Sequence, residues 1–222
     1  MTELEVHLPD KGRASSSFSA KKPIAHVACH IDNGAVREIV VPVRVGRVLM
    51  NEGLPLPLPE EEAFDAIHAI EARVCFNLLT EMLSRRDYAI GEARSKLLDY
   101  GFRIEEVDPT LSRAVDLKFL NDERFASYFI DERKRRGWGR RKIELELKRR
   151  GVETSQLPGY PDEYFDEDDD LERARELLSR KSIPDGRAFD KLVRHLMSKG
   201  FSYSVAARAA RDRINDDMDE DF

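Results

Sequence analysis

The sequence predicts a mainly α-helical protein made of three tandem three-helix units, helix-turn-helix-like in kind, preceded by a small β-hairpin extension. Three observations lead there. The endings KLLDYGF, ELKRRGV and LMSKGF place Gly101, Gly151 and Gly200 at intervals of 50 and 49 residues, a repeat period that marks recurring supersecondary units. Each glycine has a leucine four positions earlier (Leu97, Leu147, Leu196) and an apolar residue after it (Phe102, Val152, Phe201). That is the pattern of a helix closed by a left-handed glycine with a hydrophobic contact across the cap. Finally, IAHVACHI and AVREIVV flank Asp32-Asn33-Gly34, and Asn-Gly between two β-prone runs reads as a tight hairpin.

Residues 1–22 contain ASSSFSAKKP with little apolar periodicity and read as a disordered leader. Residues 23–59 hold the hairpin at about 24–41, then PVRVGRVLMNEG, which periodicity does not assign to helix or strand, and LPLPLP, an extended linker. Pro fixes φ and biases its predecessor away from helix. The first helical unit, 60–115, opens with Glu60, Glu61 and Glu62 at the positive end of a helix that runs to about Leu83 through Phe64, Ile67, Ile70, Val74 and Leu78, the spacing of one apolar face.

The second unit, 116–160, has Asn121 as N-cap, Leu120 and Phe125 as a hydrophobic staple, and Asp122 and Glu123 in the first turn. The helix ends before Gly137. The third unit occupies 161–222 after the acidic stretch PDEYFDEDDD, read as a solvated linker, and closes in an acidic tail, DRINDDMDEDF. Helices before the capped ones are expected at about 63–83, 121–136 and 170–180, and after them at about 104–114 and 203–215.

Charge points to function. The chain has a net charge of −6 and 36% charged residues, so general affinity for polyanions is not expected. Between residues 132 and 151, however, stand ten basic and three acidic residues. Arg133, Lys134, Arg135 and Arg136 suit the negative end of a helix. Arg140, Arg141 and Lys142 do not, because they open the next helix, where positive charge opposes the dipole; Lys148, Arg149 and Arg150 end it. The excess asks for an anionic partner, and these residues with Trp138 form the expected contact surface. Trp138 itself reads as an anchor at a helix junction rather than a base-stacking group.

His26, Cys29 and His30 invite a zinc reading, but on a strand Cys29 and His30 face opposite ways, so strand residues are the better interpretation. No phosphate loop, G-x-S-x-G or H-E-x-x-H is present, and neither an active site, a metal site nor a cofactor is expected. The two cysteines, Cys29 and Cys75, fit a reducing compartment. With no apolar span in IVVPVRVGRVLM and no h-region in MTELEVHLPDKG, the expectation is a cytoplasmic protein without membrane contact, acting as a monomer.

At FLNDERFASYFIDERKRRGWGRRKIELELKRRGV the sequence resembles the RecX family, bacterial regulators of the RecA recombinase. The matching positions are Leu120, Asp122, Arg124, Phe125, Ala126, Gly137, Gly139, Ile143, Glu146, Leu147, Gly151 and Val152. The likeness extends over about 72–215. It implies an elongated, curved array of three-helix units that lies in the groove of the RecA–DNA filament and suppresses its ATPase, strand exchange and coprotease activity, with roles in recombination, repair and the SOS response and no catalysis of its own. Weak, non-specific single- or double-stranded DNA binding would accompany it. Two departures stand out: YAIGEARSKL replaces a serine-led helix start in the first unit, and the prolines of LPGYPDEYF leave the third helix of the second unit short or absent. The alternative is a stand-alone helix-turn-helix DNA regulator. Against it, the basic helix offers few Asn or Gln side chains for base edges. A hydrolase has only its Asp, Glu and His inventory in its favour.

Overall fold

A computed structural model describes residues 1–9, 24–32 and 34–220. The protein is mainly helical with a small antiparallel sheet at the amino-terminal side, and it divides into two compact units, Met1–Leu120 and Asn121–Phe222. No helix among the described residues is long and apolar enough to cross a membrane.

The first unit begins with a strand that the sequence reading missed. Strand β1 (Glu3–His7) pairs with β2 (Ile24–His30), which pairs with β3 (Val36–Pro42), in the order β1-β2-β3. The stretch ELEVH alternates: Leu4 and Val6 pack on the core while Glu3, Glu5 and His7 take the other face, the period-2 signature of a half-buried strand. The expected disordered leader is therefore corrected over the described residues 1–9, where Met1 is buried in the core and Glu3–His7 form a strand, and its residues 10–22 lie outside the described part. Of the hairpin turn, Asn33 is also outside it, but Gly34 has φ +80° and donates to Ile31 O at 2.9 Å. Ala25, Val27 and Cys29 point into the core, with His26 and His30 on the opposite face, as the strand reading required.

PVRVGRVLMNEG resolves as helix α1 (Val43–Glu52). It presses on β2 at Gly46, where an added Cβ would lie 2.6 Å from that of Ala25. Only glycine permits that approach. Helix α2 (Glu60–Leu83) buries Ile67, Cys75, Leu78 and Leu79, and α3 (Ile90–Asp99) and α4 (Ile104–Asp116) complete a bundle with it. Ala89 stands at the N-cap of α3 with no side-chain hydrogen bond, as its non-serine sequence implied.

The second unit contains α5 (Asp122–Arg135), α6 (Arg140–Arg149), α7 (Glu167–Ser179), α8 (Ala188–Lys199) and α9 (Tyr203–Glu220). After α6 the chain makes only a short 3₁₀ turn, Thr154–Gln156, because the glycine and prolines that follow cannot sustain a helix. The acidic stretch is not a solvated linker throughout. Asp166 Oδ1 accepts from the backbone N–H groups of Asp168 and Asp169 at 2.8 and 3.0 Å, so α7 starts inside the run. Its carboxylates meet the positive end of the helix. Three helix endings share one geometry: Gly101, Gly151 and Gly200 have φ +91°, +77° and +98°. Phe102, Val152 and Phe201 donate back to Leu97, Leu147 and Leu196 O at 3.3, 3.0 and 3.2 Å.

Candidate functional site

The basic segment is built on α5, α6 and the turn between them. Asn121 Oδ1 accepts from Arg124 N–H at 2.8 Å and sets the start of α5. Gly137, at φ +75°, ends it: Gly137 N–H reaches Lys134 O at 2.9 Å and Trp138 N–H reaches Arg133 O at 3.0 Å. The turn is clamped from outside. Leu177 sits 2.8 Å from where a Gly137 Cβ would be, and Arg173 Nη1 donates to Trp138 O at 2.9 Å. Trp138 is half-buried, with the Arg133 guanidinium 5.0 Å and the Lys142 ammonium 4.2 Å from its ring centroids.

The first turn of α6 corrects the charge argument. Gly139 N–H donates to Lys199 O at 2.9 Å and Arg141 N–H to Gly200 O at 3.0 Å. The positive end of α6 thus abuts the negative end of α8, and the carbonyls there do what an acidic first turn would otherwise do. A basic first turn needs no external anion to be tolerated. The approach depends on glycines: a Cβ on Gly139 would lie 2.3 Å from Phe201 N, and one on Gly200 would lie 2.5 Å from Lys142 N.

Contacts sort the cations into two groups. Arg133, only 16% exposed, lies over Phe129 at 4.6 Å. Lys134 donates to Tyr164 O and stands 4.9 Å from the Phe165 ring. Arg140 Nε donates to Glu144 Oε1 at 2.7 Å, as does Tyr160 OH at 2.7 Å, and its guanidinium faces Tyr160 and Phe165. That bond to Glu144 raises the Arg140 pKa, while burial, then Glu144, pushes the Tyr160 phenol up. Nearby Asp170 is buried and pairs with Arg173; burial pushes its carboxyl up against the pull of that arginine. Arg150 pairs with Glu146 at 3.1 Å over Phe129. These side chains hold the unit together.

Arg135, Arg136, Arg141, Lys148 and Arg149 are exposed. Arg136 pairs with Glu132 one turn back, and Arg149 lies 3.8 Å from Glu146. Arg141 and Lys148 have no ion-pair partner among the described residues, although Arg141 borders a cleft of about 640 Å³ that is also lined by Asp162, Asp166 and Glu167. Arg141, Leu145, Lys148 and Arg149 follow the i, i+4, i+7, i+8 spacing of one helix face. Leu145 is 52% exposed. Sequence reasoning overlooked it, yet its place midway between the buried Ile143 and Leu147 turns it about 200° from either on a 3.6-residue helix.

Comparisons with known proteins agree with this region. Residues 121–156 match a family model described as RecX, second three-helix domain. A regulatory protein RecX from Haemophilus influenzae (strain PittEE) is 30% identical over 139 residues, spanning 58% of this chain and 87% of the relative. One from Caldanaerobacter subterraneus subsp. tengcongensis is 28% identical over 143 residues, spanning 64% and 72%. The crystal structure of RecX from Lactobacillus salivarius superposes with a TM-score of 0.56 at 20% identity, over 64% of this chain and 96% of that one. A second crystal structure, of a regulatory protein RecX, gives 0.57 at 20% identity over 81% and 92%.

Proposed function

The chain belongs to the RecX family of regulatory proteins, and we propose that it regulates RecA by binding the RecA–DNA filament through the exposed face of α6, lowering the filament's ATP hydrolysis, strand exchange and coprotease activity. The observation that carries this reading is the separation of the cations. Once Arg133, Lys134, Arg140 and Arg150 are assigned to internal contacts, Arg141, Lys148 and Arg149 still line one solvent-facing stripe around an exposed leucine. A leucine left in water among cations suits a partner that is both anionic and apolar, which a protein surface offers and a phosphate backbone does not.

Bare DNA is the weaker partner on this account. If three cations contact phosphates, the log-log salt slope on single strands is about −2, shallow for a dedicated DNA-binding protein. Titrating the full chain against bare single-stranded DNA and against the same DNA coated with RecA tests the proposal. Binding is expected to be tighter on the coated strand and without sequence preference on the bare one. Tight, sequence-selective binding to bare duplex would favour the stand-alone regulator instead.

A further inference from the structure

A cluster in the first unit has the character of a metal site. His68 and Glu71 stand one turn apart on α2, and Glu106 reaches them from the first turn of α4. His68 Nδ1 lies 3.6 Å from Glu106 Oε1 and 3.9 Å from Glu71 Oε2. At their centre is one nitrogen of Arg103: Nη2, with two hydrogens, donates to Glu71 Oε2 at 3.0 Å and to Glu106 Oε1 at 2.9 Å, and it abuts His68 Nδ1. A guanidinium has no lone pair to accept with, so Nδ1 must present its own. One imidazole and two carboxylate lone pairs therefore converge on a single cationic point.

A second observation comes from Glu71. It is 1% exposed, and its other oxygen, Oε1, is buried with no hydrogen-bond partner. A buried carboxylate oxygen left unpaired is costly, and Glu71 borders a cleft of about 530 Å³ that is also lined by His68 and Arg103. With His68 neutral, Glu71 and Glu106 together carry one negative charge more than Arg103 neutralises.

We propose that His68, Glu71 and Glu106 form a divalent transition-metal site, with zinc as the ion the donors fit, and that the Arg103 guanidinium is a built-in competitor for it. Tetrahedral zinc with bonds of about 2.0–2.1 Å sets its ligand atoms about 3.3–3.4 Å apart. The two separations from His68, 3.6 and 3.9 Å, need about 0.3–0.6 Å of closure to reach that value, and all three ligand atoms already lie within 4.8 Å of one another. An imidazole in the donor set favours zinc over magnesium or calcium, which prefer oxygen alone. Arg103 is 42% exposed while Glu71 is not, so the arginine can swing into solvent and leave the ligands in place, with Glu71 Oε1 free to complete them. The ion would tie α2 to the start of α4.

The test is zinc titration of the chelator-stripped full chain by calorimetry, with cobalt absorbance reporting coordination geometry and circular dichroism confirming the fold of each variant. One ion per chain is expected, with a tetrahedral cobalt spectrum and a higher thermal midpoint in zinc. His68→Ala and Glu106→Gln should each weaken binding about tenfold to a hundredfold or more. Arg103→Ala should instead tighten it, by about tenfold if the guanidinium competes for the same point. Failure of Arg103→Ala to take up zinc overturns the proposal. So does zinc binding that survives His68→Ala and is lost in His30→Ala, which would move the ion to the Glu3, Glu5 and His30 group on the sheet.

Discussion

Gly139→Ala isolates the α6–α8 junction better than any other single change. Gly139 has an ordinary extended conformation, φ −85° and ψ 164°, so alanine introduces no backbone strain there and its cost is steric. The new methyl carbon would fall 2.3 Å from Phe201 N, 2.4 Å from Gly200 C and 2.6 Å from Gly200 O. These are backbone atoms and do not rotate away. Relief requires α6 to lift from the end of α8, lengthening the bonds from Gly139 to Lys199 O and from Arg141 to Gly200 O. Two hydrogen bonds at about 1 kcal/mol each, with about 1–3 kcal/mol for overpacking, give a loss of about 3–5 kcal/mol. Trp138 is the only tryptophan of the chain and adjoins the site, so its fluorescence in a urea titration follows the junction directly. Gly186→Ala is the control. Gly186 has φ +61° and nothing within 4 Å of its would-be Cβ, so its cost is conformational only, about 1–2 kcal/mol. A Gly139→Ala midpoint no lower than that of Gly186→Ala would refute the junction as described.

Two further outcomes follow from the same geometry. Gly151→Val forces a β-branched residue to φ +77° and is expected to lower stability by about 1–3 kcal/mol in urea denaturation; an unchanged midpoint would contradict the cap. Cys75 offers a pH test: burial pushes its thiol up to about 11 from an ordinary 9.0. The folded state thus holds the proton more tightly, and the associated stability is complete below pH 9 and lost as pH rises through about 11, up to about 3 kcal/mol. Cys75→Ala should flatten the alkaline limb of the stability curve, and equal slopes in the two proteins would count against it.

Where the sequence was legible, local chemistry settled the structure. The three glycine caps, the Asn121 N-cap and the long α2 follow from residues within one or two turns of one another. Two misreadings were avoidable. ELEVH shows strand alternation, hidden by the polar residues that follow it, and Asp166 with the acids after it has the form of a helix start. The α6–α8 junction is different: Gly139 and Gly200 meet across 60 residues, and neither has a local pattern that names the other. Lacking that contact, the basic start of α6 looked unsupported and its charge looked wholly available. Glu144 is a legible i,i+4 partner of Arg140, but nothing nearby signals that Tyr160 and Phe165 flank it, since the two aromatics belong to a segment whose visible features are its prolines and acids.

If the basic cluster divides into residues that hold the unit together and residues that contact the filament, charge reversal in the two groups has opposite effects. Arg141→Glu/Lys148→Glu/Arg149→Glu reverses the exposed stripe, while Arg140→Glu sets a carboxylate against Glu144 and near Asp170 within the unit. Each protein is assayed for thermal midpoint and for suppression of RecA's DNA-dependent ATP hydrolysis. The triple variant is predicted to keep its midpoint, surface changes of this kind costing within about 0.5 kcal/mol apiece, and to lose most of its suppression. Arg140→Glu is predicted to lower the midpoint. A triple variant that still suppresses hydrolysis at wild-type concentrations, with its fold intact, would contradict the assignment of this face to the filament.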